Sequence, residues 1–317
     1  MIISASRRTD IPAFYHRWFM NRIRVGWCAV PNPNNLHNVS TIDLSPSAVD
    51  AIVFWSKNPE PMMNDLQELD ERGYRYYFQF TLNAYPAFFE PNVPGLASRI
   101  STFRKLSEQL GISRVIWRYD PIIISNLTPE EFHINQFAAL VQQLKGSTRR
   151  VIVSLVDLYS HTERRLASLE VDGLEIERHP KNIIKLMANL AEIAHSNGLE
   201  ICSCSEVEDY APIGILPGQC IDAKLINSIW SLHLKYIKDP GQRPACLCTV
   251  GKDIGVNDSC IHGCTYCYST RSYSVAENRF KEHDVNSPLL WGNSEMKNKI
   301  VPPPQKQQGN LFLPLEE

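Results

Sequence analysis

Short apolar runs rich in β-branched residues alternate along the chain with longer segments whose apolar positions recur every three or four residues. The short runs predict buried strands at 2–5, 51–55, 74–81, 115–117, 151–156 and 199–202. The clearest longer segment predicts a helix over 181–197, and a second is expected over 128–144, opened by Thr128 as its capping residue. Strands that alternate with helices predict a parallel sheet of the α/β class.

Polar side chains cluster directly after several of the predicted strands. They are Arg7, Arg8 and Asp10 after the first, Lys57 and Asn58 after the second, and Arg118 and Asp120 after the fourth. Binding sites of parallel α/β folds form at the carboxyl ends of the strands. We therefore expect a complete or partial (β/α) TIM-like barrel with these groups at one mouth, although an open sheet gives the same apolar periodicity.

Length and composition favour one large domain. The chain has 317 residues and 44% hydrophobic content, and we expect a domain over 1–295 followed by a disordered tail over 296–317. Its 32 basic and 34 acidic residues give no charge excess that demands or excludes nucleic acid. Because no apolar run approaches about eighteen residues and no signal peptide is visible, we expect a cytoplasmic protein without a membrane segment.

Eight of the nine cysteines lie beyond residue 200, all within the segment 200–270. In a reducing cytosol such clustering indicates metal binding more often than disulfides. Cys260, Cys264 and Cys267 have the spacing C-x3-C-x2-C, and three thiolates can hold three corners of a [4Fe-4S] cluster, which leaves the fourth iron free. The alternative is a zinc site completed by Cys246 and Cys248.

The segment from Cys260 to Tyr268 resembles the signature of the radical S-adenosylmethionine superfamily. The sequence from Ile2 through Lys57 to the cysteine loop is similar to the domain-of-unknown-function 1848 family. The superfamily resemblance implies a partial or complete barrel, bound S-adenosylmethionine (SAM), a cellular electron donor and a 5′-deoxyadenosyl radical. Its cysteine loop usually follows the first strand, so the late position here predicts a permuted barrel in which the segment before Cys260 lies beside the strand at Ile2.

The remaining cysteines allow two interpretations. Cys204, Cys220, Cys246 and Cys248 are the right number for a second [4Fe-4S] cluster that relays electrons, or they are small buried residues. Cys28 and Cys202 lie in or beside apolar elements and are expected in the core.

Further roles follow from the resemblance and from position. The segment from Arg118 to Asp120 resembles one in spore photoproduct lyase-like members, so these two residues and Arg8 are candidate catalytic groups, with a structural ion pair as the alternative. The candidate contacts for SAM are Arg7, Asp10, Lys57, Asn58, Tyr266 and Tyr268. His262 is expected to hydrogen-bond within the cysteine loop without binding metal.

The leading hypothesis is a radical SAM enzyme acting on an unknown substrate, with nucleic acid repair or modification as the favoured class. The tail supports this hypothesis, because the segment from Gln308 to Phe312 resembles peptides that bind the bacterial sliding clamp. The alternative is a non-catalytic protein in which zinc or a closed iron–sulfur cluster serves structure or partner recognition.

Overall fold

The computed structural model of the chain describes residues 1–170 and 173–302. Its strands are β1 (Ile2–Ala5), β2 (Trp27–Asn32), β3 (Asn35–Asp43), β4 (Ala51–Ser56), β5 (Tyr76–Thr81), β6 (Val115–Ile122), β7 (Arg150–Leu155), β8 (Glu200–Ser203), β9 (Leu216–Pro217) and β10 (Lys252–Asp253). Eight of them form one parallel sheet in the order β10-β1-β4-β5-β6-β7-β8-β9. The other two, β2 and β3, form an antiparallel hairpin. All six predicted strands are therefore present, and the α/β class is confirmed.

The helices are α1 (Ile11–Phe14), α2 (His16–Val25), α3 (Leu66–Glu71), α4 (Leu96–Leu110), α5 (Glu130–Gln143), α6 (Ser160–Glu170), α7 (Ile183–Ser196), α8 (Ala223–Trp230), α9 (Tyr273–Lys281) and α10 (Ser294–Asn298). The two predicted helices correspond to α5 and α7. The capping role predicted for Thr128 is wrong, because its hydroxyl donates a hydrogen bond to the Ile123 carbonyl (2.7 Å) and Pro129 occupies the cap position. Within the described residues, no helix has the length and apolar content needed to cross a membrane.

The two faces of the sheet are covered differently. Alternate strand residues such as Phe54, Phe78 and Trp117 form the main core with the apolar sides of α2, α4, α5 and α7. The opposite face, which carries Val53 and Tyr77, packs against a smaller cluster that includes four cysteines and the apolar side of α8. Most helical packing therefore lies on one face, whereas the chain from about residue 220 to 250 covers the other.

The two edges of the sheet approach each other through the segments that border their short strands. The Thr249 amide, which precedes β10, donates to the carbonyl of Ile221, which follows β9 (2.9 Å). In the described residues no ladder joins β9 to β10, so the strand pairing remains open.

Packed structure continues past residue 295, which is where the domain was predicted to end. Met296 of α10 is buried against Ala29 of β2, and the Thr41 hydroxyl of β3 donates to the Val301 carbonyl (2.7 Å). The candidate clamp-binding segment from Gln308 to Phe312 lies outside the described residues.

A candidate cysteine-lined site

A cavity of about 460 Å³ lies at the carboxyl ends of the parallel strands. Seven cysteines line it, namely Cys204, Cys220, Cys246, Cys248, Cys260, Cys264 and Cys267. The other predicted site residues that line it are Arg7, Arg8, Asp10, Lys57, Arg118, Asp120, Tyr266 and Tyr268. Of the predicted set, Asn58 alone is not part of the described cavity wall. Both cysteine groups therefore share one cavity with the polar residues that follow β1 and β4 and with Arg118 and Asp120 of β6.

The late cysteine loop enters the cavity because β10 is an edge strand beside β1, with Ser4 opposite Asp253. The Asp253 carboxylate accepts hydrogen bonds from the hydroxyls of Ser4 and Ser6 (both 2.6 Å) and from the amides of Arg7 and Gly255 (both 2.9 Å). Burial opposes ionisation of this carboxyl, but Arg8 and the hydroxyl donors outweigh it and lower the pKa of Asp253. One side chain thus fastens a two-residue strand to β1.

The next contact between these strands requires glycine at position 255. A Cβ there would lie 2.0 Å from the Ser6 hydroxyl oxygen and 2.6 Å from the Ser6 Cβ. The segment that leads from β10 to the cysteine loop consequently lies closer to the end of β1 than any larger residue permits.

Asp10 connects three parts of the site. One carboxylate oxygen accepts from the Ala13 amide (2.9 Å), as the cap of α1, and from the Ser56 hydroxyl (2.8 Å). The other accepts from the Lys57 amide and faces His262 Nε2 (both 2.8 Å). Four protein groups therefore surround this buried carboxylate, and its contact with His262 ties the cysteine loop to the ends of β1 and β4.

A buried ion cluster lies behind Cys264. Lys57 Nζ is 2.8 Å from Glu90 Oε1, Arg99 Nη1 is 3.4 Å from Glu90 Oε2, and the Tyr266 hydroxyl donates to Glu90. Burial disfavours both charges of the Lys57–Glu90 pair, but their mutual attraction outweighs this effect, so the pKa of Lys57 is raised and that of Glu90 is lowered. A lysine cation is thereby held next to the cysteine loop.

Arg165 of α6 fastens the loop from the opposite side. Its guanidinium donates to the Thr265 carbonyl (2.9 Å) and to the carbonyls of Cys267 and Thr270. Glu90, Arg165 and Asp253 were not predicted from the sequence, since each also contacts at least one residue that lies 100 or more positions away in the chain.

The other four cysteines lie together on the face of the sheet that carries Val53 and Tyr77. Cys204 Sγ and Cys220 Sγ are 3.3 Å apart, and side-chain contacts continue from Cys220 to Cys248 and from Cys248 to Cys246. The four thiols thus form one continuous group, although one follows β8, one follows β9 and two precede β10. Cys28 and Cys202, in contrast, are buried among apolar residues.

Arg118 contacts this four-thiol group. Its Nη1 donates to Cys220 Sγ (2.7 Å), while its Nε and Nη2 donate to Asp120 (3.0 and 2.5 Å). Asp120 also accepts from the Ser154 hydroxyl. Burial lowers the pKa of the Arg118 guanidinium, but Asp120 and the cysteines outweigh burial and raise it, so this buried side chain remains a cation. The donor nitrogens of its guanidinium group are therefore already engaged by other protein groups.

The two tyrosines of the cysteine loop differ in position. Tyr266 is buried and its hydroxyl is engaged by Glu90. Tyr268 is 53% exposed, and its hydroxyl donates to the Arg7 carbonyl (2.8 Å). Tyr268 therefore presents an exposed aromatic ring in the cavity wall.

Two further observations bear on what the cavity holds. The side-chain oxygens of Thr9 and Ser205, both in the cavity wall, are buried without a hydrogen-bond partner among the described residues. Among all the residues that the structure describes, no three His, Cys, Asp or Glu side chains are grouped so that they could hold one metal ion. A cubane cluster requires a different arrangement of thiolates from a single metal ion, because each thiolate binds a separate iron atom.

Fold and site together define a parallel α/β protein with a cysteine-lined cavity at the carboxyl ends of its strands. The chain belongs to the family described as Domain of unknown function (DUF1848), whose model matches residues 2–269. The resemblance to this family is thereby confirmed, and the match includes all seven cysteines of the cavity. No curated protein matches the chain.

Proposed function

We propose that this protein is a radical SAM enzyme. The observation that carries the proposal is the position of the C-x3-C-x2-C loop. It follows an edge strand that pairs with β1, and it opens into the cavity where Arg7, Asp10 and Lys57 also lie. Three thiols on one loop at the carboxyl end of a parallel strand are the ligand set that a [4Fe-4S] cluster with one free iron requires.

We further propose a partial (β/α) barrel that is permuted relative to the superfamily. Placement of α2, α4, α5 and α7 on one face of the sheet, with only α8 and the cysteine-containing cluster on the other, supports this architecture over a sheet covered equally by helices on both faces. The contact between Thr249 and Ile221 supports a curvature that brings the two edges together.

The residues around the loop suit such a cluster and its cofactor. When bound, the cluster supplies the electron that divides SAM into methionine and a 5′-deoxyadenosyl radical. Lys57 and Arg165 place positive charge beside thiolates that would otherwise repel one another. The unpartnered oxygens of Thr9 and Ser205 are available to polar groups of the cofactor or substrate, and Tyr268 offers an aromatic surface.

We assign Cys204, Cys220, Cys246 and Cys248 to a second [4Fe-4S] centre that passes electrons to the first. Their continuous contact and the nearby Arg118 cation support this assignment. Arg118 and Asp120 then stabilise the second centre, whereas Arg8, which is partly exposed in the cavity wall, remains the candidate substrate contact. A nucleic acid substrate stays a hypothesis that rests on the sequence resemblance.

The test is anaerobic reconstitution with iron and sulfide, followed by reduction with dithionite and addition of SAM. We expect 5′-deoxyadenosine and about eight irons per chain for two cubanes. The variants Cys264→Ala and Cys220→Ala should each lose about half of the iron, and Cys264→Ala should form no 5′-deoxyadenosine. Cys28→Ala is the matched control and should keep both the iron and the product, because Cys28 lies in the apolar core.

Two results would contradict the proposal. One is absence of 5′-deoxyadenosine from fully loaded wild-type protein, and the other is an iron content in Cys264→Ala equal to that of Cys28→Ala. Zinc that survives purification and prevents iron loading would favour the alternative of a non-catalytic metal protein.

A further inference from the structure

The surface beside Cys246 and Cys248 is built from a short ladder of three chain segments. The Val250 amide donates to the Ile237 carbonyl (2.8 Å) and the Asp239 amide donates to the Cys248 carbonyl (2.9 Å). On the other side, the Thr249 amide donates to the Ile221 carbonyl (2.9 Å). The segment that carries two cavity thiols therefore also reaches the outer surface.

The exposed side chains of these segments are basic and apolar. Tyr236, Ile237 and Val250 are 46%, 58% and 38% exposed. Lys224, Lys235, Lys238 and Lys252 are all exposed on the same segments. We call these seven residues the lysine patch.

The acidic residues of these segments do not neutralise the lysine patch. Asp222, Asp239 and Asp253 are buried or nearly so, and each faces an arginine. The pairs are Asp222 with Arg150 (2.8 Å), Asp239 with Arg7 (3.5 Å) and Asp253 with Arg8 (3.8 Å). Among the described residues, Lys224, Lys235 and Lys252 have no acidic side chain within 4.0 Å. The outer face of the ladder thus carries positive charge, although the whole chain has a formal net charge of −2.

We propose that the lysine patch is the docking site of an acidic one-electron carrier protein, which delivers electrons to the four-thiol centre. This inference rests on the proposed function. The carrier loses one electron and the centre gains one, and no bond is made or broken. A carrier bound here lies against the segment that carries Cys246 and Cys248, since the Cys248 carbonyl accepts from the Asp239 amide within the same ladder. Clustered lysines around an exposed aromatic and aliphatic core suit a transient partner of opposite charge.

The test compares two electron sources in reconstituted full-length protein, namely dithionite and a reduced [2Fe-2S] ferredoxin of net negative charge. The variant Lys224→Glu/Lys235→Glu/Lys252→Glu should slow ferredoxin-supported 5′-deoxyadenosine formation at least tenfold at low salt. Its dithionite-supported rate should stay within twofold of wild type. The wild-type ferredoxin rate should fall as salt screens the charges, and the variant rate should not.

The matched control is Lys105→Glu/Lys145→Glu/Lys185→Glu. It changes the net charge equally, but its exposed lysines lie in or next to the helices of the opposite face. A second variant, Ile237→Ser, should weaken direct ferredoxin binding, measured by titration calorimetry, without changing the charge.

The outcomes separate this inference from the proposed function. Equal ferredoxin rates in the patch and control variants, with dithionite activity intact, would overturn the docking site alone. Lack of product with dithionite would overturn the proposed function, while calorimetry still tests docking. Duplex DNA that competes with ferredoxin and shows the same lysine dependence would overturn the inference in favour of nucleic acid.

Discussion

Replacement of Asp10 by alanine tests whether one carboxylate organises the cysteine site. The substitution leaves the Ser56 hydroxyl, the Lys57 amide and the His262 ring without their buried acceptor, and it removes the cap of α1. A buried polar group that loses its partner costs about 1–3 kcal/mol, and loss of a helix cap costs about 1 kcal/mol. Since the Ser56 hydroxyl can rotate to another acceptor, we expect a total of about 3–4 kcal/mol.

This loss is measurable as a shift of the melting temperature. An unfolding entropy of about 2.1 cal/mol/K per residue over 317 residues gives about 0.7 kcal/mol/K. Asp10→Ala should therefore melt about 5 °C below wild type in the metal-free protein. Its iron content after reconstitution should also fall, because His262 no longer holds the cysteine loop against β1 and β4.

The control is Asp65→Ala, which removes a histidine–carboxylate contact of similar length, His16 to Asp65 at 2.6 Å, at a partly exposed position. A surface pair contributes about 0–1 kcal/mol, so its melting temperature should change by less than about 2 °C and its iron content should not change. The reasoning is refuted if Asp10→Ala and Asp65→Ala melt together and load equal amounts of iron.

Three further predictions follow from the same contacts. Glu90→Gln leaves the cations of Lys57 and Arg99 without their buried partner, so it should cost about 3 kcal/mol in urea unfolding, whereas Glu68→Gln on the surface should cost about 1 kcal/mol or less. Gly255→Ala should lower both melting temperature and iron content because its Cβ meets Ser6, whereas Gly95→Ala, with no atom within 4 Å of its Cβ, should cost at most about 1 kcal/mol as the cap of α4 and should not change the iron content. Burial lowers the pKa of His133 to about 4, so its stabilising neutral form is fully effective above the unfolded pKa of about 6.5 and is lost as pH falls towards 4. Wild type should therefore lose about 3 kcal/mol more than His133→Gln between pH 7 and pH 4 in melting scans, and equal losses would contradict this assignment.

The central strands were predicted well from the sequence because each is a continuous apolar run long enough to be recognised as a buried strand. Strand β9 was missed, since its two residues carry no periodicity. The position of β10 beside β1 agrees with the expectation that the segment before Cys260 lies beside the strand at Ile2, although its two residues show no strand pattern of their own. The hairpin of β2 and β3 was missed as well. Apolar and polar residues alternate only weakly along its two strands, and a proline lies within β2.

Spacing along the chain pointed to many of the residues that line the cavity, whereas residues that only the fold brings together were not predicted. The cysteine motif is recognisable by its spacing, and the residues after β1 and β4, like Arg118 and Asp120 near the end of β6, by their position at strand ends. Arg118 was predicted as a candidate catalytic group, with a structural ion pair as the alternative, and its guanidinium contacts Asp120 and Cys220. Glu90 follows an aromatic pair in a connecting segment, and only the fold reveals that Lys57, Arg99 and Tyr266 converge on it.

The late cysteine loop has a physical explanation in the geometry of the sheet edge. A parallel strand is recognised by the backbone groups of its neighbour, which are the same whether the strand comes before or after that neighbour in the chain. β10 therefore occupies the position beside β1 that a strand at the start of the chain would otherwise fill. Because β10 contributes only two residues to the ladder, the three hydrogen bonds that the Asp253 carboxylate accepts from Ser4, Ser6 and Arg7 must supply much of its attachment. It follows that the cysteine loop depends on Asp253 and Asp10 together, the first fixing the strand that leads into the loop and the second holding the loop itself through His262.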